Sequence, residues 1–483
     1  MRDFELTDEV IGYVTAENPT NTDPRNLVGG TRNVLIDQQR SIRTRNGYTR
    51  LGAADITIAP IRGGATWGTS TGTEVIIRAH ADVLETYLAT IEGVEVNAWT
   101  EITDSFDTEA IPRFSPWYDD TESLDELIFV WNDANVYEWS GAVTTIKATA
   151  TATIEKNGTD TWAQSRFYTV ANKKVMINGT EYTYTGGEDT TTLTGVTPDP
   201  SSEAADSIAI QSIVTNTDKP VAERNNNTIY TYENQICIGS NTDEQVYISK
   251  NTDYVNFTYS TPRVPGEGVL LTLDGITNGF ASLNDKLIVF SGSESVFQGT
   301  YQALTVGTTK TETMEIKKYE VGVNQSALNQ EVIVPIGNSV LYVTQEPALR
   351  ELLSLAEVSG GRDPVTLSNP IKPDFAAEDW TNACGTWHKN AFYLTAPDSG
   401  HLYILEYKED ADGRVRRFWQ PPQTLPVRYL FSYNGKLHGH SNAVPETYEL
   451  FAEDTFSDIN SADEKIAINC VAKFAYRPYG KRA

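Results

Sequence analysis

The sequence predicts an all-β protein, a β-propeller of roughly six to eight blades carrying a small β insertion domain. Three observations lead there. Short segments of alternating apolar and polar residues, bounded by Asn, Asp, Gly and Ser, recur about every 40–50 residues. Helical patterning is nearly absent, and Pro347–Val358, bounded by Gly360-Gly361, is the one fair helix candidate. The stretch Asn225–Gly268 shows the beat most plainly. Ile229–Tyr232, Gln235–Gly239 and Gln245–Ser249 read as three strands, separated by Glu233-Asn234 and Ser240-Asn241-Thr242-Asp243, which is turn chemistry. Ser249, Asp253 and Tyr254 read as the turn that closes the unit and returns an aromatic to the core.

A chain of 483 residues exceeds what one simple core serves, so two domains or one large repeated architecture is expected. A single blade leaves an apolar face wet, so the ring has to close. Closure is expected to pair an early strand, Asn33–Asp37, with a late one. A long β-sandwich chain is the competing architecture.

Taken in order, residues 1–30 form a polar N-terminal arm with the irregular segment Asn18–Pro24. Residues 31–146 are the first part of the propeller. There Asn33–Asp37 and Ser41–Arg45 alternate like paired strands, and Asn46-Gly47 signals a tight turn. Ile61–Thr69, Val75–Ala79 and Val83–Leu88 make a unit ended by Trp99. Phe114–Trp117, Leu127–Trp131, Val136–Trp139 and Val143–Ile146 make the next. Composition shifts at Lys147 toward Thr, Ala, Gly and Asp, and 147–219 is read as a small β insertion between two blades, or else as a long decorated loop.

Residues 220–483 resume the propeller. Gly279–Leu283, Lys286–Ser291 and Ser295–Thr300 follow the opening unit. Glu331–Ile336 and Ser339–Thr344 turn at Gly337-Asn338, and Gly385–His388 meets Ala391–Ala396 at Lys389-Asn390. Leu402–Tyr407 and Val415–Trp419 come next, then Tyr429–Tyr433, Lys436–Gly439 and Glu446–Phe451, turned at Asn434-Gly435. Lys465–Tyr476 reads as one last alternating strand that runs into basic residues.

The formal charge of −27 disfavours a general nucleic-acid binder, because phosphate binding needs clustered Lys and Arg. The charge is unevenly spread, with two basic ends on an acidic body. Arg25, Arg32, Arg40, Arg43, Arg45 and Arg50 lie near the start, and Lys473, Arg477, Lys481 and Arg482 at the finish. These ten residues are candidates for a subunit interface against an acidic neighbour, the plain alternative being a solvated surface. Cys237, Cys384 and Cys470 stand far apart, in no ligand-like spacing, which suits a reducing compartment. Met1–Glu5 does not begin a signal peptide, and no run nears the ~20 apolar residues of a membrane span.

No constellation in the sequence carries chemistry past its structural explanation, and no enzymatic activity, cofactor or metal is expected. His438 and His440 share a strand face without a third ligand beside them. Asp410–Gly413 starts like a calcium loop but lacks the later Glu. Asp119, Asp120, Glu122, Asp125 and Glu126 form a carboxylate cluster that reads as solvated surface. The tryptophans at 67, 99, 117, 131, 139, 380, 387 and 419 read as packing between blades, with sugar stacking as the alternative.

At these residues the chain resembles the tailed-bacteriophage structural proteins with a β-propeller body, of the tail nozzle or tail stabilisation type. The likeness is carried by Asn33-Val34-Leu35 with Arg45-Asn46-Gly47-Tyr48 in a first hairpin, by Gln245–Phe257, by Gly279–Gly299 and by the terminal segment Tyr448–Gly480. Val175–Ser201 is similar to a small hairpin module found as an insert in phage proteins. The resemblance implies a virion tail protein, assembled in the host cytoplasm, of identical subunits in a hexameric ring. It implies adaptor, portal-side or tail-tube neighbours and possible tail fibres. Genomic DNA would pass through without specific binding, and no membrane is entered. A host-recognition or glycan-binding or -degrading propeller on a virion is the alternative.

Overall fold

A computed structural model of the chain describes residues 10–16, 23, 25–36, 41–53, 59–68, 74–91, 94–103, 111–119, 124–131, 133, 135–167, 173–216, 225–251, 253–260, 263–306, 309–353, 364–409, 415–460 and 462–474. The fold is all-β, of the β-propeller type, with seven blade-like sheets among the described residues and one inserted sheet. The chain forms two compact units. The first is built from Met1–Ile58, Asn278–Gly299 and Ile316–Ala483, and the second from Ala59–Thr277 and Thr300–Glu315.

β1 (Val34–Ile36), β2 (Ile42–Thr44) and β3 (Thr49–Arg50) open the first unit, with β1 paired antiparallel to β2 as their alternation predicts. In the second unit β4 (Ile61–Gly68), β5 (Glu74–His80), β6 (Val83–Ile91) and β7 (Val94–Thr103) form a meander. Trp99 lies inside β7 and does not end the unit. The next meander takes β8 (Arg113–Asp119), β9 (Leu124–Val130) and β10 (Val136–Trp139) in order.

Its fourth strand is not Val143–Ile146, as the sequence suggests. That segment begins β11 (Val143–Ala150), which joins β12 (Thr153–Lys156), β13 (Lys174–Ile177), β14 (Thr180–Thr183), β15 (Thr192–Thr194) and β16 (Ile208–Gln211) in a six-stranded inserted sheet. β17 (Val214–Asn216) then returns to pair with β10. The insertion therefore interrupts one meander between its third and fourth strands, instead of standing between two. It has its own core, in which Trp162, Phe167, Tyr182 and Tyr184 close over Ile146, Ile154 and Leu193.

β18 (Asn226–Tyr232), β19 (Gln235–Ser240), β20 (Gln245–Ile248) and β21 (Val269–Thr272) complete the stretch that shows the repeat most plainly. Glu233 and Asn234 have φ of 49° and 58°, the paired positive values of a type I′ hairpin turn. The Ser249 hydroxyl accepts from Ile236 N at 2.8 Å and donates to the Lys250 carbonyl at 3.0 Å. Tyr254 is buried with its ring 5.3 Å from that of Trp117, and its hydroxyl donates to the Glu138 carboxylate. These residues shape the turn, as predicted.

β22 (Thr277–Leu283), β23 (Lys286–Ser291), β24 (Ser295–Val306) and β25 (Thr309–Glu320) make the fourth meander, whose residues are divided between the two units. In the first unit β26 (Ile333–Ile336), β27 (Ser339–Val343), β28 (Leu349–Leu352) and β29 (Val365–Thr366) follow. β28 falls within the predicted helix Pro347–Val358. Its register against β27, Val343↔Leu349 and Val340↔Leu352, turns those leucines into a buried ladder, and cross-strand packing overrides local propensity. Within the described part of that prediction Leu349–Leu352 is thus strand, and 354–358 lie outside the described residues. The short helix α1 (Lys372–Ala377) lies further on.

β30 (Gly385–His388), β31 (Ala391–Ala396), β32 (His401–Glu409) and β33 (Val415–Trp419) form the sixth meander, with β34 (Gln423–Thr424) also on β32. The seventh comprises β35 (Val427–Tyr433), β36 (Lys436–Ser441) and β37 (Thr447–Glu449), and its fourth strand is β3 from near the N-terminus. An early strand does close a late sheet, but it is Thr49–Arg50 and not Asn33–Asp37. Val34–Ile36 is already committed to β2.

β38 (Ser457–Ile459) and β39 (Lys465–Ala467) pair as a separate hairpin. Beyond β39 the predicted long strand breaks into single bridges, Val471 to Arg32 and Phe474 to Leu27. The described part of the N-terminal arm is not loose. Val10, Tyr13 and Leu27 sit in a buried core of this unit with Phe375, Trp380, Phe392 and Trp419.

Candidate functional site

The ten basic candidates fall into three groups. Arg40, Arg477, Lys481 and Arg482 lie outside the described residues. Arg45 and Arg50 are consumed by the fold. The Arg45 side chain is 1% exposed, bridging the Asp458 carboxylate and donating to the Thr424 carbonyl at 3.0 Å. The Arg50 side chain is 5% exposed, with its guanidinium 3.0 Å from the buried Glu446 and in contact with Asp463. A surface role for these two is corrected to an internal one, because a buried guanidinium needs a carboxylate partner. Arg25, Arg32, Arg43 and Lys473 remain at the surface. Arg25 is paired locally to Asp23 at 2.9 Å. Arg32 N donates to Val471 O at 2.8 Å, while Val28 N donates to Lys473 O at 2.9 Å. Arg32 and Lys473 thus sit on adjacent backbone segments, 441 residues apart in sequence, and Arg43 stands on β2.

A second polar constellation escaped the sequence. Glu378, just past α1, accepts from His401 Nδ1 and from the Tyr403 hydroxyl, each at 2.7 Å. Burial pushes its pKa up, but the hydrogen bonds from His401, Ser399 and Tyr403 outweigh burial, and the carboxyl sits below its ordinary range. The Tyr403 phenol is pushed up by burial and by the bond it donates to Glu378. Glu378 and Asp379 face an open cavity of about 320 Å3, whose apolar wall includes Leu328, Pro347 and Trp380. Asp379 accepts from Thr381 N at 2.9 Å, and its pKa is lowered by that bond. Glu378 and His401 lie on different elements, so no local spacing marks them.

The remaining candidates are structural. His438 and His440 are buried beside Phe431, whose ring lies 5.5 Å and 4.6 Å from theirs. His440 Nδ1 bonds the Thr447 hydroxyl at 2.8 Å and His438 Nδ1 the Lys436 carbonyl at 3.2 Å. Burial lowers the pKa of His438. Trp67, Trp117, Trp131, Trp139, Trp380 and Trp419 are buried, which spends their faces on packing. Trp99 and Trp387 are half-buried, with Arg78 over the Trp99 ring at 3.9 Å. Of the carboxylate cluster, Glu126 is fully buried and so is not solvated surface, Asp125 is half-buried, and Asp120 and Glu122 lie outside the described residues. The stretch 410–413 lies outside them too.

No protein-family profile matches the chain, and no curated protein matches it. Among solved structures it is similar to the computationally designed Ika8 protein, at 10% identity and a TM-score of 0.36, over 83% of this chain and 99% of that one. It is also similar to BamB from Moraxella catarrhalis, at 9% identity and a TM-score of 0.34, over 84% of this chain and 97% of that one. At those scores the assignment of fold rests on the sheets themselves.

Proposed function

We propose that this protein is a non-enzymatic structural component of a bacteriophage tail, a ring of identical subunits that lines or closes the DNA exit channel. The observation that carries the reading is the ordered run of nozzle-type phrases, from the first hairpin through Gln245–Phe257 and Gly279–Gly299 to Tyr448–Gly480. Two further features support it. A net charge of −27 gives a surface that repels the phosphate backbone, so DNA slides without sticking. Exposed Arg32, Arg43 and Lys473 offer cationic contacts to an acidic neighbour, including another copy of the chain. Such contacts would be heterologous and ring-closing, set in the virion against adaptor or tail-tube proteins.

The test is native mass spectrometry and electron cryomicroscopy of the purified protein and of the particle that carries it. The expected result is a closed ring with a carboxylate-lined bore. Charge reversal at Arg32, Arg43 and Lys473 together is expected to leave folded monomers. Monomers within intact particles, or a bore lined by Lys and Arg, overturn the reading. One observation favours a second reading, a virion glycan-binding propeller. The cavity beside Glu378 and Asp379 is at the small end of ligand-pocket sizes, about 300 Å3. A glycan array with wild type and Asp379→Ala separates the two.

A further inference from the structure

The strand that closes the seventh sheet is very short. Only Thr49↔Glu449 and Arg50↔Tyr448 are in register between β3 and β37, where an ordinary strand has about five or six residues. Leu51 N adds a bond to Thr447 O at 2.8 Å and the buried Tyr48 ring packs 4.7 Å from that of Tyr448, but so short an edge strand needs further anchorage.

It comes from the β38–β39 hairpin. Arg50 reaches Glu446 beside β37, Asp463 in the turn of the hairpin, and the Asn460 carbonyl at 2.9 Å. Arg45 grips Asp458 on β38 through both carboxylate oxygens and donates to its neighbour's carbonyl, Asn46 O, at 3.0 Å. Between these two arginines the backbone of Gly47 lies directly against the hairpin. A Cβ there would stand 1.8 Å from Ser457 O, while Gly47 N donates to Thr455 O at 2.7 Å and Ala452 N to Gly47 O at 2.9 Å. The hairpin in turn has just three register pairs and half-exposed or exposed residues throughout. A two-stranded hairpin of this kind is marginal alone. Each partner is thus weak by itself and stable only against the other.

We propose that β38–β39 is a clasp over the closing strand, and that Ile42–Leu51 and Ser457–Ala467 open together as one cooperative unit, β2 leaving β1, while the other sheets stay intact. The arginine bridges set how often it opens, since a local opening is governed by the contacts confined to it. Opening exposes the β37 edge and gives the last sheet a releasable seam. The inference stands apart from the proposed tail function and would hold for any role of the protein.

Hydrogen-exchange mass spectrometry on the full chain tests it. The expected result is one shared exchange rate for peptides covering 42–51 and 457–467, faster than for β31 and β32. Asp463→Asn, at a mostly exposed position that the fold tolerates, is expected to speed both peptides several-fold and leave β31 and β32 unchanged. Arg45→Lys keeps the charge but loses the fork. It is expected to speed them roughly tenfold or more, the scale of a lost charge-assisted hydrogen bond. Unlinked rates in the two segments, rates as slow as in β31, no response to either variant, or equal acceleration in every sheet each overturn the clasp.

Discussion

Single residues show how burial sets chemistry in this protein. His388 and His438 both have pKa values lowered from 6.5, first by burial and then by nearby cationic lysines, with the Lys436 carbonyl and Glu449 partly opposing at His438. A histidine held neutral in the fold binds fewer protons than in the unfolded chain. Its stabilisation is therefore complete above pH 6.5 and is lost as pH falls through the lowered folded values. Urea unfolding at successive pH values should show stability falling below pH 6.5, with a shallower fall in His438→Gln. Packing gives a second prediction at this scale. Trp162 is fully buried, its ring edge-on to Phe167 with centroids 4.7 Å apart. Trp162→Ala should cost about 3–5 kcal/mol, read from the inserted sheet's unfolding transition. The clustering of Glu378 with His401 and Tyr403 could not be read from the sequence, because 23 and 25 residues separate the partners and a fold has to bring them together.

At the scale of the element, the hairpin turns were the most legible feature. Glu233-Asn234, Lys389-Asn390 and Asn434-Gly435 all carry paired positive φ, and each was marked by residues that tolerate the left-handed region. Gly435 has φ of 67° and open space where a Cβ would stand. Gly435→Ala should therefore cost about 1 kcal/mol, from backbone strain alone, in a thermal melt. Two strands escaped that reading: β17, which lies 75 residues beyond the β10 end it serves, and β21, although Pro265-Gly266 and Asp274-Gly275 flank it. The inserted sheet offers a direct test. Val143 faces Ile210 across β11 and β16, so its two ends are adjacent. Replacing 143–210 by Asn-Gly should leave β10 paired with β17, and circular dichroism should show a folded, cooperatively melting remainder. Loss of all cooperative melting would mean that the inserted core supports the meander that carries it.

For the whole molecule, charge and closure dominate. A chain of net charge −27 repels itself, and salt screens exposed charges more than buried pairs. The melting temperature should rise between about 0.02 M and 0.2 M salt, where the screening length shrinks several-fold. A fall would mean that exposed pairs such as Lys174–Glu181 outweigh the repulsion. Closure runs through β3, which brings residues near position 50 to the sheet that ends at Glu449. Neither the brevity of that strand nor its two arginine anchors stands out in sequence, where Arg45 and Arg50 look like any exposed basic residues.

The sequence by itself determined the class of fold, the strand–turn–strand beat and most hairpin turns. Those follow from side-chain alternation and from residues tolerant of positive φ, which act within a few positions. Only the tertiary structure decided which strand closes the last sheet, where the insertion interrupts its meander, that Leu349–Leu352 is strand, and that two of the basic residues are internal struts. Most of those depend on a partner tens to hundreds of residues away, and Leu349–Leu352 on Val340–Val343 across a short turn; the energy of burying a chain segment or a charge is set by that partner.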